Sequence, residues 1–265
     1  MIALGLLTAS ACCHAAWNLL MKTSGRGGPA FVWLCGVVML PVSLVVLVRG
    51  HLGTTWWAGL VSMVLHTTYA VTLQKAYGAG EFSTVYPVSR GTAPVLVTLV
   101  TIPWLGGSGP RVYVGAALVF GGVLLMDRLH SRRLGRGIAL GLAVATCTAA
   151  YTLWDGFAVT SLGVDVLTYL AVTNVAQVVV LSAVVRQFDF SQWRRAVPIA
   201  VLTPASYGLV LLALTFASVG TVAIGRTLNV VLGALLGAIV LRERLTPARI
   251  AGLATVVAGV VLVST

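Results

Sequence analysis

Cys13-His14-Ala15-Ala16-Trp17-Asn18-Leu19-Leu20-Met21-Lys22 near the start of the chain returns, altered, as Cys147-Thr148-Ala149-Ala150-Tyr151-Thr152-Leu153-Trp154-Asp155-Gly156 just past its middle. Val85-Tyr86-Pro87-Val88-Ser89-Arg90 is echoed by Thr221-Val222-Ala223-Ile224-Gly225-Arg226, and Gly115 and Gly122 reappear as Gly252 and Gly259. The offsets are 134 to 137 residues, about half of the 265-residue chain each time. A duplicated apolar unit with an odd number of helices sets its two copies upside down to each other in a bilayer, with a site between the halves.

Composition makes the bilayer the solvent. The chain is 58% hydrophobic and 9% charged, with a mean hydropathy of +1.00. A soluble domain carries roughly 25% charged residues, so there is too little polar surface here to coat a particle in water. The net charge of +11 does not imply nucleic acid. The Lys and Arg residues sit in short gaps between apolar runs, as juxtamembrane anchors do. Cys12, Cys13, Cys35 and Cys147 each lie within an apolar run and lack metal or redox spacing, so they read as small packing residues. Neither a metal nor a cofactor is expected. A cleavable leader is not expected either, because nothing positive precedes the first apolar run and that run ends in Trp17-Asn18.

The expected fold is an all-α integral membrane protein with about ten transmembrane helices in two inverted five-helix repeats around a central cavity. The apolar runs are 2–21, 28–48, 56–77, 82–105, 110–126, 137–157, 164–185, 196–215, 218–241 and 247–264. Each is of a length to cross roughly 30 Å of hydrocarbon at about 1.5 Å per residue. The polar stretch Asp127-Arg-Leu-His-Ser-Arg-Arg-Leu-Gly-Arg136 parts five runs from five. The first repeat is therefore 1–127, the basic linker 128–136 and the second repeat 137–265. Lys22, Arg26, Lys75, the basic linker, Arg186 to Arg195 and Arg242 to Arg249 share one face, and Arg49 and Arg111 mark the other. The positive-inside rule makes the crowded face cytoplasmic in a bacterial-type plasma membrane, with both termini on the opposite side. Gly137-x3-Gly141 and Gly233-x3-Gly237 offer small-residue faces for close helix approach. Pro87, Pro94 and Pro103 in the fourth run predict a bent or broken helix, of the kind tolerated where it lines a cavity.

Arg90 and Arg226 lead the candidate substrate-binding residues. Each lies about nine residues into its span, or about 13 Å, near the midplane. A charge at that depth costs about 2.5–3.5 kcal/mol or more unless it meets a cavity or a partner. Two guanidinium forks can grip a carboxylate or phosphate; the alternative is structural pairing with carbonyls or acids. Tyr86 stands one turn before Arg90. His14, Trp17 and Asn18, with Lys22 a turn on, form a polar stripe on the first helix, either facing a cavity or bonding between helices. His66 with Tyr69, and Asn174 with Gln177, repeat that stripe, and Tyr207 lies near the repeat-equivalent of Tyr69. Asp155, beside Tyr151 and Trp154, is the candidate coupling group, since a membrane carboxylate can take up a proton and release it. The alternative for Asp155 is a wet interfacial cap. Glu81 reads as a helix-dipole partner. Trp56, Trp57, Trp104 and Trp193 read as an interfacial belt.

These residues carry a resemblance. Two halves each ending in Gly-x6-Gly, the turn Leu241-Arg-Glu-Arg-Leu-Thr246 and the preceding Arg226-Thr-Leu-Asn-Val-Val-Leu-Gly-Ala-Leu235 are similar to the drug/metabolite transporter superfamily, EamA type. The resemblance covers the chain as two EamA units. It implies ten helices in inverted repeats, a central cavity, and export or exchange of small metabolites such as amino acids, with the proton gradient a common energy source. It also implies cytoplasmic termini, against the distribution of arginines here. The first repeat departs from the pattern, with Gly106-Gly-Ser-Gly109 where the second has the Glu243 turn.

The expected function is secondary transport of a small anionic or zwitterionic metabolite by alternating access, with protons as a coupling ion or by exchange, in a monomer or homodimer. A lipid-head-group flippase is the alternative reading. An integral-membrane transferase would need clustered His, Asp or Glu, and the six acids here are mostly single and in loops. The chain is therefore not expected to be an enzyme. A channel would show rings of like charge or a filter loop.

Overall fold

The computed structural model describes residues 2–24, 29–50, 53–79, 82–104, 110–126, 134–186, 189–229, 231–232, 239 and 246–264. The side chains of Asn18, Lys22, Tyr86, Arg90 and Trp104, and all of Glu81, Glu243 and the Gly233–Gly237 face, lie outside what is described.

The described residues form ten helices and no strand. They are α1 (Ile2–Ser24), α2 (Pro29–Arg49), α3 (Trp57–Ala79), α4 (Phe82–Trp104), α5 (Pro110–Met126), α6 (Leu134–Thr160), α7 (Val166–Val184), α8 (Trp193–Ala213), α9 (Val219–Gly225) and α10 (Pro247–Ser264). Local chemistry sets several starts. Pro29, Pro110 and Pro247 open α2, α5 and α10, where a missing N–H costs no helical bond. Asp165 caps α7 by accepting the Thr168 N–H at 2.8 Å, and Ser218 caps α9 through the Thr221 N–H at 3.3 Å.

Four of these helices are long and apolar enough to cross a membrane: Pro29–Arg49, Ala139–Thr160, Val166–Val184 and Trp193–Ala213. Ile2–Trp17, Trp57–Leu73, Gly91–Thr101 and Ile250–Leu262 are shorter apolar helical segments. Large apolar side chains point outward, with Val48 85%, Val179 65% and Ile239 74% exposed. Such a surface suits acyl chains and not water.

The prolines do not break α4. It runs continuously from Phe82 to Trp104 through Pro87, Pro94 and Pro103, so of the bend or break that the sequence suggested, the break does not occur. Each proline removes one amide donor. Val88, Ala93, Val97, Thr98 and Thr101 are buried along the same helix, and that packing holds it together. Helices α2 and α8 likewise continue through Pro41, Pro198 and Pro204. The interruption falls in the ninth segment instead. Helix α9 ends at Gly225, and beyond it the Thr227 N–H bonds Ile224 O at 3.0 Å and the Asn229 N–H bonds Arg226 O at 3.2 Å. These i→i+3 bonds tighten the chain around Arg226.

Helix α1 packs on α8 and α3 on α6; α2 lies on α7, α4 on α6, and α5 on α10. Ser10 and Ser206 fix the first of these contacts by reciprocal bonds, Ser10 Oγ–H to Ser206 O at 2.7 Å and Ser206 Oγ–H to Ser10 O at 3.0 Å. Asn174 ties α7 to α2 by donating to Gly36 O at 3.2 Å and Ser43 Oγ at 3.0 Å. On α5 and α10 the echoed glycines meet. A Cβ at Gly122 would fall 2.7 Å from Gly252 O, and one at Gly259 would fall 2.8 Å from Gly115 O. Only glycine lets these two backbones touch. The central core draws Leu7, Val97, Tyr169, Leu211 and Val222 from five helices.

Candidate functional site

Helix α6 turns Tyr151, Thr152 and Asp155 inward. Asp155, one turn beyond Tyr151 and Thr152, is fully buried at 0% exposure. An isolated ionised carboxylate in such a place costs several kcal/mol or more, so its partners matter. Four side chains from three other helices point at it. Ser62 Oγ–H on α3 donates to Asp155 Oδ1 at 2.8 Å. The Tyr169 hydroxyl on α7 donates to the same oxygen. On the other oxygen, Oδ2, the Tyr207 hydroxyl of α8 donates and His66 Nε2 of α3 lies 3.0 Å away. A carboxylate has about four acceptor positions, and here all are engaged. Burial rules out the wet interfacial cap that its distance along the span allowed.

Arg226 stands beside this cluster, at the C-terminal cap of α9. Its Nη1–H donates to Thr152 Oγ1 at 3.1 Å and its Nη2–H to the Tyr151 hydroxyl at 3.2 Å. Its guanidinium carbon lies 5.5 Å from the ring centroids of both Tyr151 and Tyr207, within cation–π range. His66 joins the two groups from the side. Its ring stacks on Tyr151 with centroids 4.2 Å apart and an interplanar angle of 27°, and meets Tyr207 edge-on at 5.0 Å. A cavity of about 40 Å³ opens next to Arg226, lined by Pro94, Val97, Thr148, Thr152, Ala223 and Asn229 among others.

Of the residues singled out in the sequence, Arg226, Tyr207 and Asp155 are thus brought together, with His66 and Tyr69 at the edge of the same aromatic group; Tyr69 lies 5.3 Å from Tyr151. His14 and Trp17 meet each other edge-to-face at 4.9 Å on α1. The Trp17 indole N–H is buried and has no hydrogen-bond partner among the described residues. Asn174 ties helices together, the structural alternative for that stripe. Arg90, Tyr86 and Asn18 lie outside the described side chains. Trp56, Trp57 and Trp193 are about half exposed, at 49%, 42% and 52%.

The sequence reading missed Ser62 and Tyr169. Ser62 lies four residues before His66 and so on its helical face, which was a usable signal. Tyr169 stands among apolar residues on α7, and nothing in the sequence pairs it with a carboxylate fourteen residues earlier.

Residues 135–265 match the EamA-like transporter family. No curated protein matches the chain. One solved structure, described only as "Crystal structure of protein", superposes with a TM-score of 0.76 over 99% of this chain and 97% of its own, at 16% identity. At that identity the likeness establishes the fold alone.

Proposed function

From the membership of this chain in the EamA-like transporter family, established through residues 135–265, we propose that it is a secondary transporter for a small solute bearing a carboxylate or phosphate. The observation that carries this reading is Arg226, a guanidinium at a helix interruption that lines a cavity and is held there by the hydroxyls of Thr152 and Tyr151. A bidentate guanidinium is suited to a carboxylate or phosphate.

The solute then travels between two inverted five-helix units, 1–127 and 137–265, joined by the basic linker 128–136. The packing supports this arrangement, since α1 on α8 is answered by α3 on α6, and α5 and α10 meet through echoed glycines. Arg90 and Tyr86 are the first unit's contribution to the substrate site, with His14, Trp17 and Asn18 on α1 and Tyr207 on α8. The orphan Trp17 N–H supports a ligand-facing role for that stripe.

Asp155 is the coupling group. As an anion it holds α3, α6, α7 and α8 together through four donors. A proton on either oxygen replaces an acceptor with a donor and expels one of them. His66 is the natural route for that proton, its side chain being 24% exposed beside the buried carboxylate. Release of the Tyr207 hydroxyl also alters the ring that faces Arg226, which links proton uptake to anion binding. The halves then rock about the site in alternating access, with the basic loops in the cytoplasm and the protein in a bacterial-type plasma membrane.

The test is flux in proteoliposomes with an imposed pH difference, after a thermal-shift screen of amino acids, phosphonates and organic acids. A stabilising anion whose flux is lost in Arg226→Ala supports the reading. Undiminished flux in that variant removes Arg226 from the site.

A further inference from the structure

A second and larger cavity, of about 170 Å³, lies between the loop leading into α3 and the loop joining α6 to α7. Each half supplies one of these loops, and each loop turns on a glycine in the left-handed region, Gly53 at φ 55° and Gly163 at φ 63°. A side chain with a Cβ is strained in that conformation. Trp56, Asp165, Thr168 and Tyr169 complete the lining.

The chemistry of this lining differs from that around Arg226. Among the described carboxylates, Asp155 is saturated by four neighbours, and Asp189 accepts the Ser191 N–H at 2.8 Å in a different loop. Asp165 is exposed, and its capping bond to the Thr168 N–H uses Oδ2, which leaves Oδ1 to meet a cation. In a chain of net charge +11, a carboxylate at a cavity rim is an uncommon counter-charge. It lines a cavity together with two aromatic residues, Trp56 and Tyr169. Aromatic faces attract cations, and more strongly where water is partly excluded. A void of about 150 Å³ accepts benzene, so this one has room for a small organic cation.

We infer that this cavity binds an organic ammonium group, with Asp165 as the counter-charge and Trp56 and Tyr169 as aromatic walls. The role rests on the transport reading: the site receives the ammonium end of a zwitterionic solute. The binding itself does not rest on it. The cavity also adjoins the coupling group, because the hydroxyl of the same Tyr169 is held by Asp155. Side chains connect the two cavities in sequence, from Tyr169 to Asp155, to Tyr207, to Arg226.

The test uses choline and its neutral carbon isostere, 3,3-dimethyl-1-butanol, as probes, with binding to the purified full-length chain in detergent measured by calorimetry. Choline should bind at least about tenfold more tightly than the isostere, and Asp165→Asn should lose about that factor. Asparagine caps helices as well as aspartate does, so the variant keeps α7 intact and an unchanged melting temperature shows it. Trp56→Leu should weaken choline as well. Arg226→Ala should leave choline binding in place, which separates this site from the anion site whatever the flux assay gives. In nanodiscs, competition by phosphatidylethanolamine over phosphatidylglycerol identifies a lipid headgroup as the source of the ammonium; its absence identifies a soluble one. Equal affinity for choline and the isostere, full binding in Asp165→Asn, or loss of binding in Arg226→Ala overturns the proposal.

Discussion

Tyr207 donates its hydroxyl hydrogen to Asp155 and presents its ring to Arg226, with the guanidinium carbon 5.5 Å from the ring centroid. One side chain therefore serves a buried anion with its polar end and a cation with its apolar face. The two jobs can be separated by chemistry. Tyr207→Phe keeps the ring and removes the hydroxyl. Anion affinity should stay within about threefold, since the ring accounts for a cation–π term of about 1 kcal/mol or less at a partly wet site. The dependence of flux on a pH difference should change, because Asp155 loses one of its four donors. Flux and its pH dependence measured on the same proteoliposomes decide this. A large loss of affinity with unchanged coupling would assign Tyr207 to the solute alone.

Asp155→Asn replaces one acceptor oxygen by an amide that can only donate. Whichever way the amide is turned, its NH2 confronts two neighbours that are also donating, either Ser62 and Tyr169 or His66 and Tyr207. Each buried polar group left unpaired costs about 1–3 kcal/mol. The buried charge disappears at the same time, which offsets part of that cost. A net fall in melting temperature is expected, together with flux that no longer responds to a pH difference. A variant that keeps the wild-type response would take the coupling role away from Asp155.

Arg226→Lys tests geometry and not charge. Lysine keeps the positive charge but has no planar fork to reach Thr152 and Tyr151 together, at 3.1 and 3.2 Å. Substrate affinity should fall about tenfold or more, a change of about 1.4 kcal/mol, with the chain still folded. Isotope uptake at several solute concentrations measures this as a rise in the half-saturation level. Full activity in the lysine variant would mean that the solute needs only a point charge at this position.

Much of the fold was legible because periodicity and length survive any choice of packing partner. The apolar runs 110–126 and 247–264 coincide with α5 and α10, whereas the echoed glycines marked only the duplication in the sequence, and their place at the contact of those helices came from the structure. The breaks were harder to read. Proline spacing placed one in α4, but burial along that helix outweighs the lost amide bonds, and the chain instead tightens at Arg226, where no proline stands. Half of the site was visible because charge is rare in this sequence. Asp155 stood out for that reason, and Arg226 also through its echo of Arg90 and its depth in the span. The other half consists of hydroxyls, and Ser62 and Tyr169 resemble ordinary packing residues until tertiary structure brings them to a carboxylate. The meeting of Asp155 with Arg226 through Tyr207 depends on three helices and has no local signature.

The glycine contact between α5 and α10 gives the sharpest prediction about stability, because two adjacent residues supply test and control. A Cβ at Gly122 would lie 2.7 Å from Gly252 O and 2.9 Å from Val256 N, both backbone atoms that cannot rotate away. A Cβ at Gly121 would meet nothing within 4 Å. Gly122→Ala must push the helices apart, at a cost of roughly 1–3 kcal/mol. Gly121→Ala should be neutral or slightly stabilising, since alanine in a helix is favoured over glycine by about 1 kcal/mol. In detergent, the melting temperature should fall by about 2–4 °C per kcal/mol for Gly122→Ala and hold or rise for Gly121→Ala. Gly259→Ala should reproduce the loss, because its Cβ would meet Gly115 O at 2.8 Å from the opposite direction. Equal melting temperatures for Gly121→Ala and Gly122→Ala would mean that the two helices are not in backbone contact. The close meeting of the two halves through their last helices would then fall with it.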